Sequence, residues 1–164
     1  MPKWAVLGVV VLLSVASADS SPPAAKPPGS SDAGRRPKGY VVSAKDAPRF
    51  RQSVAKQKFY TPSQREVDLL EKRMPAFLQS PAAKSLSPSD RLGKKLAFYG
   101  RQYVGLVDDQ GGKQIWVNLI WLEALDNRPL SSPFEALDGR DLFCRVTFDL
   151  KAMQFVNLEC NGSA

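Results

Sequence analysis

The architecture turns on RQYVGLVDDQGGKQIWVNLIWL, Arg101 to Leu122. Aromatic and branched residues fill both flanks, from Phe98 to Val107 and from Gln114 to Leu122, while Asp108 to Gly112 is a cluster of turn formers. Two strand-like runs around a short turn predict an antiparallel hairpin. Closing it about Asp109 to Gly112 pairs Leu106 with Ile115 and Val104 with Val117. Side chains alternate along a strand, so Trp116 and Trp121 fall on opposite faces. The plainer reading packs both rings under helices. The functional reading leaves Trp116, with Arg101 and Tyr103 on the neighbouring strand, as an exposed aromatic patch of the kind that holds sugars, peptides or proteins.

A second hairpin follows in CRVTFDLKAMQFVNLEC, Cys144 to Cys160. Folded about Lys151-Ala152-Met153, it sets Phe148 opposite Val156, Val146 opposite Leu158 and Cys144 opposite Cys160. That face is wholly apolar, whereas Arg145, Thr147, Asn157 and Glu159 occupy the other. A slip of one residue would turn one strand's apolar set outward, which specifies the register. The two cysteines then meet on the core side, and a disulfide is expected in an oxidising compartment, worth roughly 3 kcal/mol for a loop of about 17 residues. The alternatives are two buried free thiols or a redox pair. Between the hairpins, Leu125 to Asp141 is a long connection containing Pro129, Pro133 and Gly139. Its echo of EALDNR (Glu123 to Arg128) in EALDGR (Glu135 to Arg140) is too short for a repeat architecture.

Upstream, the pattern turns helical. Thr61-Pro62-Ser63-Gln64 predicts a helix start, with Thr61 as N-cap and Gln64 closing a capping box. Val67, Leu70, Met74, Phe77 and Leu78 then form one stripe. Pro75 is expected to kink or end this helix. Asp46 to Phe59 reads as an earlier helix capped by Asp46, with Pro48 in its first turn. Ser80 to Ser87 reads as a loop, Pro88 to Leu96 as a short helix capped by Ser87, and Tyr40 to Val42 as a short strand. Helices followed by hairpins predict an α+β fold, with N-terminal helices packed on an antiparallel sheet of about four strands.

The N-terminal quarter has a different character. Lys3, the apolar run Trp4 to Val15 and the small residues Ala16-Ser17-Ala18 read as a signal peptide over 1–18. Residues 19–39 are rich in Pro, Ser, Ala and Gly and read as a disordered linker; 40–164 is expected to be a single domain. The +7 net charge is not spread evenly: Asp19 to Lys58 holds nine basic and three acidic residues, and Phe59 to Ala164 holds thirteen of each. A basic tether outside the cytoplasm could make weak contact with anionic surfaces. No aromatic residue interrupts Asp19 to Gly39 to serve base stacking, so nucleic acid is not expected as a partner. The expected location is periplasmic or extracellular, with no transmembrane span.

Taken together, YGRQYVG (Tyr99 to Gly105), IWVN (Ile115 to Asn118), Asp138-Gly139, FCRVTFD (Phe143 to Asp149) and the C-terminal QFVNLECNGSA resemble a group of small exported bacterial proteins. The group's pattern is roughly Tyr-x-Arg-Gln-Tyr-x-Gly, Ile-x-Ile-Asn, Asp-Gly-Gly and a terminal Asn-Gly-x-Ala. The resemblance covers Phe98 to Ala164 and implies a cystatin-like or NTF2-like frame without an assigned activity. This chain departs at Arg140, where the group often has a second glycine. A cystatin wedge, Gln-x-Val-x-Gly at a hairpin tip, is not matched: Gly105 comes one position early and precedes the turn.

The chain contains no histidine, which excludes Ser-His-Asp and Cys-His nucleophiles and histidine-based metal sites. Two cysteines cannot form a thiolate zinc site, and the acidic pairs Asp108-Asp109 and Asp138/Asp141 lack the ligand spacing of a calcium loop. No cofactor is expected. The leading expectation is a non-enzymatic binding or inhibitory module acting on another envelope or secreted protein, or on a cell-wall polymer, through Arg101, Tyr103 and Trp116. The alternatives are a carboxylate-dependent glycan hydrolase using two of Glu123, Asp126, Asp138 and Asp141, and a structural protein anchored by its basic tail.

Overall fold

A computed structural model describes residues 39–50, 57–86, 90–136 and 138–161. The proposed signal peptide and nearly all of the linker lie outside them. Ten regular elements follow in order: β1 (Gly39–Val41), α1 (Ala47–Phe50), β2 (Lys58–Tyr60), α2 (Gln64–Leu78), α3 (Pro81–Leu86), α4 (Asp90–Lys94), β3 (Tyr99–Val107), β4 (Lys113–Trp121), β5 (Phe143–Asp149) and β6 (Gln154–Cys160). Short 3-10 turns occupy Leu96–Phe98, Leu122–Leu125 and Arg140–Leu142. The fold is α+β.

The sheet has six strands among the described residues and is mixed, where the sequence predicts an antiparallel sheet of about four. Strands β3 to β6 form the antiparallel meander read from the two hairpins. Two further strands share the outer edge of β3. β1 runs parallel to it at Arg101 to Tyr103, and β2 runs antiparallel at Gly105 to Val107. Each is three residues long: β1 matches the short strand read at Tyr40 to Val42, shifted by one residue, whereas β2 lies partly within the segment expected to be helical.

α2 delivers its predicted stripe, burying Val67, Leu70, Met74 and Leu78. Its start lies two residues later than expected. Ser63 is the N-cap: its Oγ accepts from the Glu66 backbone N–H at 3.3 Å, and the Glu66 carboxylate accepts from the Ser63 N–H at 2.7 Å. Thr61 instead accepts from the Ala44 N–H at 2.8 Å, tying the β1–α1 connection down. Pro75 does not end α2, because burial of Met74 and Leu78 holds its last turn in place. The helix expected over Asp46 to Phe59 is one turn, α1, and by Lys58 the chain is in strand β2; residues 51–56 lie outside the described set. Ser43 and Asp46 bond side chain to side chain at 2.7 Å and lead into α1. The expected loop after α2 contains α3, whose Ser80-Pro81 start follows the same capping logic, with Ala83 N–H donating to Ser80 Oγ at 3.2 Å.

Both faces of the sheet are covered. On one face α2, α3 and α4 bury Val67, Leu70, Met74, Ala83 and Leu92 against Tyr103, Ile115, Val117, Val146, Phe148 and Leu158. On the other, β1 and α1 bring Val42, Ala47 and Phe50 over Val104, Leu106 and Trp116. The rest of that face lies under the 122–142 connection, where Leu125 and Phe134 pack on Ile120. Strands β3 and β4 are therefore buried on both sides, which explains why QIWVNLIWL is apolar at nearly every position, Gln114 and Asn118 apart, and does not alternate.

Both hairpin registers need comment. In the first, Val104 pairs with Trp116 and Leu106 with Gln114, one residue from the expected pairing. The loop takes in Asp108, whose Oδ1 accepts from the backbone N–H groups of Gln110 at 2.9 Å and Gly112 at 2.7 Å. In the second, Cys144 meets Cys160 and Val146 meets Leu158 as read. Phe148 meets Phe155, not Val156, through a bulge that leaves Val156 46 % exposed. The bulge turns the Phe155 ring inward, onto Phe77 at 4.4 Å and Phe148 at 4.8 Å.

Candidate functional site

The three residues expected to form an exposed patch do not form one. Arg101, Tyr103 and Trp116 are 2 %, 3 % and 5 % exposed. The corrected register also separates them: Arg101 and Tyr103 point to α2, and Trp116 points to α1 on the opposite face.

Arg101 and Tyr103 instead converge on Glu71 of α2. Tyr103 Oη donates to Glu71 Oε1 at 2.8 Å. Arg101 Nε lies 3.1 Å from the same oxygen, but its N–H is not directed at it, so the contact is ionic and not a hydrogen bond. The guanidinium places its other donors well, Nη1 to Tyr99 O at 2.9 Å and Nη2 to Leu96 O at 3.1 Å. Burial pushes the Glu71 carboxyl above the usual carboxylate range, and Arg101 and the Tyr103 hydroxyl offset this only in part. Burial, reinforced by the Glu71 charge, raises the Tyr103 phenol further. Desolvation that outweighs attraction marks a pair that fixes geometry more than it adds net stability. The triad joins α2 to β3 and flanks a cleft of about 520 Å³ that also touches Gln64 and Asp68.

The other face of β3 uses its polar residues similarly. Gln102 Nε2 donates to the carbonyls of Leu130 at 2.9 Å and Ser132 at 2.6 Å. Asn118 Nδ2 donates to Gln102 Oε1 at 3.1 Å and to Phe134 O at 2.8 Å. These amides staple the 122–142 connection onto the sheet. Gly105 has an equally structural reason: a Cβ there would stand 2.3 Å from the Tyr60 carbonyl of β2. The Gln-Tyr-Val-Gly segment is the interior of a strand, flanked on one edge by β1 and β2 and on the other by β4.

An aromatic surface does exist, at the end of the sheet. Phe98 is 55 % exposed and its ring stacks on Trp121 at 5.6 Å. Tyr99 meets Trp121 edge-on at 5.3 Å, and the Arg91 guanidinium lies 5.6 Å from the Trp121 ring centre. Trp121 Nε1 donates to Glu123 at 3.3 Å, and Arg91 pairs with Asp141 at 3.3 Å. Burial, with the Asp141 charge adding, pushes the Tyr99 phenol up to about 12. The sequence held the signal for this corner in Phe98 and Trp121, but the shifted register gave the surface role to the wrong tryptophan.

The four carboxylates considered for glycan hydrolysis lie on turns. Glu123 sits in the 3-10 turn after β4 and Asp126 follows it in a left-handed conformation; Asp138 precedes, and Asp141 lies within, the 3-10 turn before β5. Glu123 and Asp141 engage Trp121 and Arg91, not each other. Among the described residues, no group of three or more Cys, Asp or Glu side chains is placed to hold a metal ion. Cys144 and Cys160 are disulfide-bonded. No described helix is long and apolar enough to cross a membrane. Comparison with protein-family models, curated proteins and solved structures gives no match to this chain.

Proposed function

We propose that the chain is an exported binding or inhibitory module, built on a frame of the cystatin-like or NTF2-like kind and acting on an envelope or secreted protein or on a cell-wall polymer. The reading rests on the Phe98–Trp121 corner. A large aromatic ring more than half exposed, backed by a second ring and flanked by a guanidinium and a carboxylate, offers apolar area together with polar groups at its rim. The disulfide fits an oxidising compartment. The buried polar groups Arg101, Tyr103, Gln102 and Asn118 are engaged with the protein's own backbone and side chains, which favours a binding role over a catalytic one. The basic tail, considered as a surface anchor, lies outside the described residues.

The test compares the chain from Asp19 with its Phe98→Ser variant. Both are exposed to the host's envelope and secreted proteins and to insoluble cell wall, in high salt. Loss of a wild-type partner in the variant, at unchanged melting temperature, supports the corner as the binding surface. Equal retention by the two proteins removes it.

A further inference from the structure

A second surface feature lies away from the aromatic corner, where α2 and α3 meet the β5–β6 turn. It is an open cleft of about 530 Å³, within the range of small-molecule sites. Its floor is apolar, made by Leu69, Phe77, Met153 and Phe155. The floor is rigid, because Phe155 is held between Phe77 and Phe148. Its rim is cationic: Lys72 and Arg73 of α2 line one side, and Arg73 Nη1 donates to Met153 O at 3.3 Å, which fixes the rim across the cleft. No carboxylate appears among its described lining residues, whereas the cleft beside Glu71 contains two. The two clefts flanking α2 thus differ in sign, and the apolar one is the positive one.

We propose that this cleft binds a single-chain amphiphile with an anionic head, of which a long-chain carboxylate is the simplest. The chain lies along Leu69, Phe77 and Phe155, and the head meets Lys72 and Arg73. The aliphatic stems of those two side chains extend the apolar wall, so chain and head are recognised by continuous surface. A peptide would need backbone partners as well, whereas the cleft offers apolar area and point charges. Neither Phe98 nor Trp121 contributes, so this inference stands apart from the aromatic corner.

The experiment titrates the disulfide-intact chain from Asp19 with octanoate, decanoate and dodecanoate, each below its micelle concentration, and follows backbone amide shifts by NMR. Saturable shifts centred on Ala76, Met153 and Phe155 are expected, with affinity rising by up to about fourfold per added methylene. Dodecyltrimethylammonium, with the same tail and the opposite charge, is expected to bind at least tenfold more weakly. Ala76 is exposed in the cleft wall, so Ala76→Trp should fill the site and abolish the shifts at unchanged stability. Lys72→Glu should narrow the preference for the anionic head. A flat dependence on chain length, equal affinity for the cationic head, or shifts centred elsewhere would overturn the proposal. Cosedimentation with phosphatidylglycerol vesicles without any response to monomeric dodecanoate would also overturn it, in favour of a lipid-surface contact.

Discussion

Replacing Gly105 with alanine tests how β2 closes the sheet. A methyl carbon at this position would lie 2.3 Å from the Tyr60 carbonyl oxygen and 2.7 Å from two atoms of its ring. Ordinary contact needs about 1 Å more, and the nearest obstacle is backbone, so no rotamer change relieves it. β2 must move off β3. It holds on through three residue pairs and through Phe59 and Tyr60, with Phe59 packed against the core under α1. Losing about two ladder hydrogen bonds at about 1 kcal/mol each, and part of the burial of two aromatic side chains at a further ~1–2 kcal/mol, gives a gross cost of about 3–4 kcal/mol. Alanine recovers ~0.5–1 kcal/mol by restricting the unfolded chain, leaving a net loss of about 2–3 kcal/mol. Urea unfolding followed by tryptophan fluorescence, with the disulfide intact, measures it. Gly111→Ala is the control. That glycine has φ 82° and open space around its missing Cβ, so only the ~1 kcal/mol cost of a left-handed alanine is expected. A Gly105→Ala variant within ~0.5 kcal/mol of wild type would show that the Tyr60 carbonyl does not approach β3 as described, and the reasoning would fail.

Three further outcomes are expected. Replacing Cys144 and Cys160 together with alanine should lower stability by about 3 kcal/mol in chemical denaturation, because the crosslink closes a loop of sequence separation 16; a loss below ~1 kcal/mol would contradict this. Arg140 has φ 52°, a left-handed conformation next to Gly139, so Arg140→Gly should raise stability by roughly 0.5–1 kcal/mol in a thermal scan, and a lowered melting temperature would count against it. Tyr60, Tyr99 and Tyr103 all have raised phenol pKa values, chiefly through burial, with Tyr99 at about 12. A pKa raised in the folded state gives stability that is complete below the unfolded value near 10 and is lost as pH climbs through the folded one. Alkaline unfolding should therefore set in above about pH 10, and Tyr99→Phe should reduce its steepness between about pH 10 and 12; an unchanged slope would refute the assignment.

Much of the fold was legible because its signals were local. The α2 stripe, the two hairpins and the Cys144–Cys160 register each follow from periodicity within about twenty residues. Where a single side chain redirected the backbone, the reading shifted. Asp108 drew itself into the first loop and moved that register by one residue, and Ser63 with Glu66 outcompeted Thr61 as the helix cap. Phe155 recruited a bulge because stacking on Phe77 lies across the tertiary structure, out of reach of strand alternation. The candidate site suffered most, since a one-residue slip exchanges the two faces of a strand and therefore the roles of Trp116 and Trp121. The covering of both sheet faces was foreshadowed by the largely apolar, non-alternating run of β4. The strand near Tyr40 and the helix start at Asp46 were legible as elements, but that they and the 122–142 connection cover the second sheet face became visible only in three dimensions.

The sheet's two margins bear on how this protein can associate. On one side β3 is screened by two three-residue strands running in opposite directions, so an incoming strand meets a broken and reversed edge. On the other, β6 carries the Val156 bulge, and its last residue is crosslinked to β5. A long, flat row of free backbone donors and acceptors, which strand addition and edge-to-edge polymerisation both require, is interrupted at each margin. Recognition of the kinds proposed would then run through side-chain surfaces, the aromatic corner and the cationic cleft, and not through strand addition at either margin.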